Sequence, residues 1–172
     1  MRTAFSDLTF EISSHADNVK FNEALLVKEL IKGHSHPKTI VDVGAAKGGV
    51  SQVFREEGYA VLAIEPHPER ARFLKSRYSG DDKVKVMEIA IATTRGVATL
   101  YDSSESEGIS ALSAWHKTHY PAHEVRTEPL SQILSPGQLG FLKVDTEGHD
   151  LEVLKTVDWT QNQFSVVAAE FD

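Results

Sequence analysis

The sequence predicts an α/β domain with a largely parallel sheet covered by helices on both faces. Three observations carry this expectation. Apolar runs of strand length alternate along the chain with stretches of helix length. The first clear run, Thr39 to Val43, leads into a glycine-rich turn and then a helix, the opening of a βαβ unit. With 172 residues, the chain has the size of one domain.

Taken in order, Leu8, Phe10 and Ile12 alternate with polar residues and predict a short half-exposed strand or hairpin piece. A helix follows from about Asn18 to Lys32, with Asp17 or Asn18 to cap it and Gly33 to end it. After the strand Thr39 to Val43, Val50 to Glu57 reads as helix, stopped by Gly58. Ala60 to Ile64 repeats the strand signal, Glu69 to Tyr78 the helix signal and Val84 to Ile91 the strand signal again. Val97 to Tyr101 and the stretch around Glu124 to Thr127 predict further strands, with a loop-rich region from Asp102 to His123 between them. Phe141 to Val144 is a strand, and Asp150 to Val157 a helix with Leu151, Leu154 and Val157 on one face. Phe164 to Ala169 is the last strand, and Trp159 is expected against the core. Residues 1–38 read as an extension and 39–172 as the core of a single domain.

Composition narrows the chemistry. At 41% hydrophobic and 25% charged residues the chain can bury a core and is not expected to be disordered. A formal net charge of −7 with no long basic run argues against nonspecific binding to nucleic acid or anionic membranes, which leaves small molecules as the expected partners. No stretch approaches the length of a membrane span and no secretory leader is legible, so a cytoplasmic location is expected. The absence of cysteine excludes disulfides, zinc-thiolate sites and thiol nucleophiles. Oligomeric state is left open, a homodimer included.

The segment VDVGAAKGGVS, residues 41–51, places Gly44 at the end of a strand and Gly48 and Gly49 at the start of a helix. A ligand crossing the carboxyl edge of a parallel sheet needs a turn of this kind, free of obstructing side chains. Ala46 stands where a dinucleotide fingerprint has its middle glycine, so an adenosyl ligand without a pyrophosphate suits the turn better. Glu65 follows Gly44 by 21 residues at the end of the second strand, the place of an acidic residue that accepts hydrogen bonds from ribose hydroxyls. The third element is LKVDTEGHD, residues 142–150, which crowds Asp145, Glu147, His149 and Asp150 between a strand and a helix. For Asp150 the favoured reading is a helix cap.

VDVGAAKGGVS, IEPHP at residues 64–68 and LKVDTEGHDLEVL at residues 142–154 resemble the three signature blocks of FkbM-type S-adenosylmethionine-dependent methyltransferases, and the likeness runs from about residue 17 to residue 172. It implies the Rossmann-like class I methyltransferase sheet, S-adenosyl-L-methionine as cofactor with S-adenosyl-L-homocysteine as product, and methylation of a hydroxyl on a sugar, lipid or polyketide-like small molecule. Carried over by position, Asp42, Gly44, Ala45 and Gly48 surround the methionine part of the cofactor and Glu65 holds the ribose. Pro66 and His67 shape the adenine edge. Ala90 lines the adenine, with help from Glu88 or Ile89, and Ser110 lies in a loop over the cofactor. The chain departs from the family in having Ala46 where Asn is usual. It also ends directly after an apolar strand, so the antiparallel strand pair that closes the class I sheet is expected to be missing.

An alcohol is a poor nucleophile while protonated, so a general base or a metal ion is expected to assist. His149, Glu147 and Asp145 are the base candidates, with His149 favoured for its ordinary pKa; Asp145 is alternatively a cofactor ligand. A divalent cation held by Asp145, Glu147 and Glu170 is a second reading, not favoured. A zinc site from His116, His119 and His123 is disfavoured because Pro121 interrupts the helix that would align them. Trp115 and Tyr120 are available to stack on an acceptor. The competing functions are a nicotinamide-dependent dehydrogenase on the same sheet and a cofactor-binding module without turnover.

Overall fold

The computed structural model describes residues 23–33, 35–104, 110–112 and 117–170. The strand expected at Leu8 to Ile12, the first turn of the helix expected from Asn18, and Trp115 and His116 lie outside these residues.

Two sheets organise the chain. The first joins β1 (Thr39–Val43), β2 (Ala60–Ile64), β3 (Val84–Met87), β8 (Gly137–Val144) and β9 (Asn162–Ala169), all parallel, in the order β3-β2-β1-β8-β9. This is the doubly wound order 3-2-1-4-5, in which the chain reverses direction across the sheet between β1 and β8. The second sheet, β4-β7-β5-β6, is mixed and is built from β4 (Ala90–Ile91), β5 (Gly96–Ser103), β6 (Ser110–Ala111) and β7 (His119–Glu128).

Side chains of a strand alternate between faces, and the parallel strands feed two separate cores in that way. Ile40, Val61, Ala63 and Phe141 pack beneath α1 (Glu23–Ile31), α2 (Gly49–Glu56) and α3 (Pro68–Arg77) through Val27, Phe54 and Leu74. Val41, Val43, Ile64, Leu142 and Val144 face the other way, toward Leu130 of α4 (Leu130–Ile133) and Val153 of α5 (Asp150–Lys155). Phe54 is fully buried and meets Tyr59 edge-on and Phe141 at a tilt, each with ring centroids 5.1 Å apart. Gly33, at φ 80°, and Gly58, at φ 87°, end α1 and follow α2 in the left-handed conformation that a helix stop favours.

The structure corrects several expectations. Val84 to Ile91 is not one strand: β3 stops at Met87, opposite the last residue of β2, and Ala90–Ile91 pairs with β7 in the other sheet. Among the described residues of the region expected as loop from Asp102 to His123, 102–103, 110–111 and 119–123 are strand, Asp102 and Ser103 pairing with Tyr120 and His119. Pro121 is tolerated there because β4 reaches only Thr127 and Glu128, leaving that part of β7 at an edge. Helix α4 had no counterpart in the expected pattern, being a single turn behind Pro129. In α5, Leu151 is exposed, and the buried side chains are Asp150 and Val153, because the six-residue helix turns its 150/153 face inward. Trp159 is half-exposed and packs edge-on against Phe164 rather than entering the core.

Phe54→Ala is expected to destabilise the fold by about 3–5 kcal/mol, because a closed-in aromatic leaves a cavity, whereas Leu151→Ala is expected to change it by less than about 0.5 kcal/mol. Urea titration of both variants measures the contrast.

Candidate functional site

A cleft opens at the carboxyl ends of β1 and β8, where the strand order reverses. Its floor is Val43, Gly44 and Ile64; one side carries Glu65, Pro66 and Arg70, the other Asp145, Thr146, Glu147 and His149. The far wall is apolar: Ile89 from the β3–β4 crossing, Ala90 and Ile91 of β4, Leu100 of β5 and Leu112 just past β6. Ligands of open α/β sheets bind at such a switch point.

The turn after β1 is held almost entirely by its own protein. The amides of Gly44 and Ala45 both donate to the Ile64 carbonyl at 3.0 and 3.1 Å, and that of Gly48 donates to the Ala45 carbonyl at 2.7 Å. The Ala46 amide donates to Glu65 Oε2 at 2.7 Å, and the His67 amide to Glu65 Oε1 at 2.9 Å. Glu65 is thus clamped between two loops while 2% exposed, and burial pushes its carboxyl above the ordinary glutamate value, against the pull of the two amides. Gly44 sits at φ 75°, and a Cβ there would collide with the Asp145 carbonyl, so no other residue allows the two strand ends to approach. Ala46, at φ 48°, bears a left-handed conformation that costs a residue other than glycine about 1–2 kcal/mol.

Beneath this turn lies a buried ion cluster. Asp42 and Lys143 are register partners on β1 and β8, on the face otherwise filled by Ile40 and Phe141. Lys143 Nζ donates to the Gly44 carbonyl at 2.9 Å and lies 3.4 Å from Asp42 Oδ1 and 3.2 Å from Asp145 Oδ2. The other Asp42 oxygen, Oδ2, accepts from the Ser51 amide at 3.1 Å and hydroxyl at 2.6 Å. Gly48 caps α2 without a side chain, so Asp42 supplies from the neighbouring strand the acceptor and negative charge that a helix N-terminus favours. Lys143 was missed in the sequence, although a lysine inside the apolar run FLKV is itself a signal, since lysine is buried only when paired.

On the other side of the cleft, Glu147 and Gly148 both adopt positive φ, 55° and 85°, and turn the chain into α5. His149 occupies the N-cap position, and its Nε2 is buried with no hydrogen-bond partner among the described residues. Asp150 does not cap α5 as expected. Its Oδ2 accepts from the Thr146 amide and hydroxyl at 3.1 and 2.8 Å and its Oδ1 from the Glu170 amide at 3.3 Å, so it fastens the loop backward and ties it to the end of β9.

Of the residues singled out from sequence, Gly44, Glu65, Pro66, Ala90, Asp145, Glu147 and His149 line one cleft. Asp42, Ala45 and Gly48 lie behind it, and a Cβ on Gly48 would come within 2.7 Å of Leu74 Cδ2. Ser110, in β6, pairs through its main chain with Asp102 of β5. Ile89 reaches the cleft, whereas Glu88 turns outward to Lys75 at 2.6 Å. Asp145, Glu147 and Glu170 do not converge as a cation site would require; among the described residues the one set of three ligating side chains near a common point is His67, Asp102 and His123. His119 stands apart from it, opposite Ser103. Arg70, Leu100 and Leu112 were not anticipated, the last two because they come from a sheet whose pairing is non-local.

The fold is a doubly wound domain with a cleft at its switch point. Residues 42–172 match the family model described as the methyltransferase FkbM domain, and the chain belongs to that family. Among solved structures, it is similar to methyltransferase FkbM from Methylobacillus flagellatus KT, at 19% identity and a TM-score of 0.47, over 70% of this chain and 28% of that one. The chain therefore spans less than a third of the length of that relative. No curated protein matches it.

Lys143→Met is expected to cost about 3–5 kcal/mol, because it leaves Asp42 buried without its countercharge; adding Asp42→Asn to the same chain is expected to recover part of the loss. Denaturant melts of the single and double variants measure the coupling.

Proposed function

We propose that the chain binds S-adenosyl-L-methionine in this cleft and methylates a hydroxyl group of a small molecule, such as a sugar, lipid or polyketide-like compound. The observation that carries the proposal is the cleft's polarity. Glu65, Asp145 and Glu147 bring three carboxylates to it, against the guanidinium of Arg70 and the buried ammonium of Lys143 behind Asp145. A cationic sulfonium ligand gains from that field and an anionic dinucleotide loses by it. The turn amides support the same reading. Those of Gly44, Ala45, Ala46 and Gly48 already donate within the protein and are not presented to a pyrophosphate, which disfavours a nicotinamide-dependent dehydrogenase.

When bound, S-adenosyl-L-methionine supplies an electrophilic methyl carbon. The protein's own residues do the rest. Glu65, held rigidly by two amides, keeps lone pairs for ribose hydroxyls. The apolar wall of Ile89, Ala90, Ile91, Leu100 and Leu112 takes the adenine and excludes water. Asp145, oriented by Lys143, meets the ammonium end of the ligand. His149 Nε2, without a partner among the described residues, is the atom suited to accept the acceptor's hydroxyl proton, with Glu147 beside it as the second candidate.

Calorimetric titration with S-adenosylmethionine, S-adenosylhomocysteine and NAD⁺ tests the cofactor. Micromolar binding of the first two and none of NAD⁺ is expected, with Glu65→Ala weakening it by about tenfold or more. The pH dependence has a definite sign. Ribose donors favour the carboxylate form of Glu65, whose pKa is raised above 4.5, so affinity is expected to fall as pH drops through a point above that value. The unliganded fold responds oppositely, since a raised native pKa makes this group's contribution to stability decline as pH rises. For turnover, His149→Gln is expected to lower kcat by about 10²- to 10⁴-fold while leaving S-adenosylhomocysteine affinity nearly unchanged, measured on any hydroxyl acceptor found by screening.

A further inference from the structure

We infer a second site on this chain, formed by His67, Asp102 and His123, that binds a late first-row divalent metal ion of the Zn²⁺ type. It is independent of the methyltransferase reading. His67 stands at the start of α3, directly after β2, whereas Asp102 and His123 come from β5 and β7, so the three residues meet across the seam between the two sheets.

One ligating atom from each lies within 4.8 Å of the others. Asp102 Oδ2 is 3.5 Å from His67 Nε2 and 3.8 Å from His123 Nε2. Both distances exceed the roughly 2.7–3.2 Å of an N–H···O hydrogen bond. They approach the separation of about 3.4 Å between two ligands on a tetrahedral ion with bonds near 2.0–2.1 Å. The two imidazoles stand edge to face, with centroids 4.7 Å apart and planes at 74°, an arrangement that lets both Nε2 atoms face the carboxylate.

The surroundings suit an ion held on one side and open on the other. Side-chain exposure rises from 11% at His67 through 18% at Asp102 to 33% at His123, leaving an approach and room for a water ligand at the His123 side. The β5–β7 register passes from Leu100 opposite His123 to Tyr101 opposite Pro121, so Ala122 is the extra residue of a bulge next to His123. Bulges re-aim neighbouring side chains in this way. Two nitrogens and one oxygen form a borderline donor set, matched to Zn²⁺, Co²⁺ or Ni²⁺ rather than to Mg²⁺ or Ca²⁺, which prefer oxygen alone.

Binding carries a local exchange. His67 Nδ1 accepts from the Glu69 amide at 3.2 Å, which keeps the ring proton on Nε2. Ligation through Nε2 moves that proton to Nδ1, and the Glu69 amide, on an exposed residue, turns to water instead. A metal ion here fastens the turn bearing Pro66 to the strand bearing Leu100, two parts of the cleft wall contributed by different sheets.

The test uses the untagged full chain, stripped with a chelator and titrated with ZnCl₂ by calorimetry and with CoCl₂ by visible absorption. Saturable binding of one ion is expected, with ligand-field bands of low-coordinate Co²⁺, no response to MgCl₂, and a shift of the Glu69 amide resonance. Asp102→Asn and His123→Gln are each expected to weaken Zn²⁺ binding by at least about tenfold, with the metal-free circular dichroism unchanged. The inference is overturned if the folded chain shows no saturable Zn²⁺ binding, if Mg²⁺ competes equally, or if binding survives both substitutions unaltered, which would assign it to other histidines.

Discussion

The approach of β1 to β8 at their carboxyl ends is the constraint on which the rest of the site depends. Two strands that turn apart at a switch point must leave room for a ligand and still be held together beneath it. Here Lys143 spans the gap, reaching the Gly44 carbonyl and two aspartates from different strands. Its amine satisfies a carbonyl that the turn exposes, and the aspartates give the buried charge the partners it requires. Without a side chain at Gly44, the Asp145 backbone closes to within contact of the turn. The cleft's shape thus follows from one glycine and one lysine, neither of which presents a functional group to solvent.

The same cluster explains how charge is divided in this region. Asp42 is consumed by structure, capping α2 through Ser51, and Asp145 is shared between Lys143 and the cleft. Glu65 is different again, since its two oxygens bind two loops while its burial opposes its ionisation. Three acidic residues at adjacent strand ends therefore have three separate tasks, set by what each meets rather than by their chemical identity.

How far the sequence revealed this arrangement depended on where the pairing lay. The parallel sheet was legible because its strands carry short apolar runs, those of β1 and the end of β8 buried on both faces, and glycine marks the turn after β1. The acidic residues Glu65 and Asp145 were legible for the same reason, standing where a strand must end. The second sheet was not. Its strands β5 and β7 pair across the chain from Gly96 to Glu128, leave most of their residues at least partly exposed, and include Pro121 and two histidines, which read locally as loop. The division of Val84 to Ile91 was equally hidden, because both halves are apolar and only the length of β2 dictates where β3 stops. Lys143 was visible as a charge in a buried run, but its partners could be named only once Asp42 was known to lie opposite it.

The second sheet shares no strand with the first, since β4, β5, β6 and β7 pair only among themselves. It nevertheless supplies Leu100 and Leu112 to the cleft. The glycine turn and this apolar wall thus belong to separate hydrogen-bonded units joined by short crossings of the chain. Substitutions at Leu100 of β5 can remodel the space opposite the glycine turn without disturbing a backbone bond of the parallel sheet. The architecture separates the strand ends that fix the glycine turn from an apolar wall that can change without them.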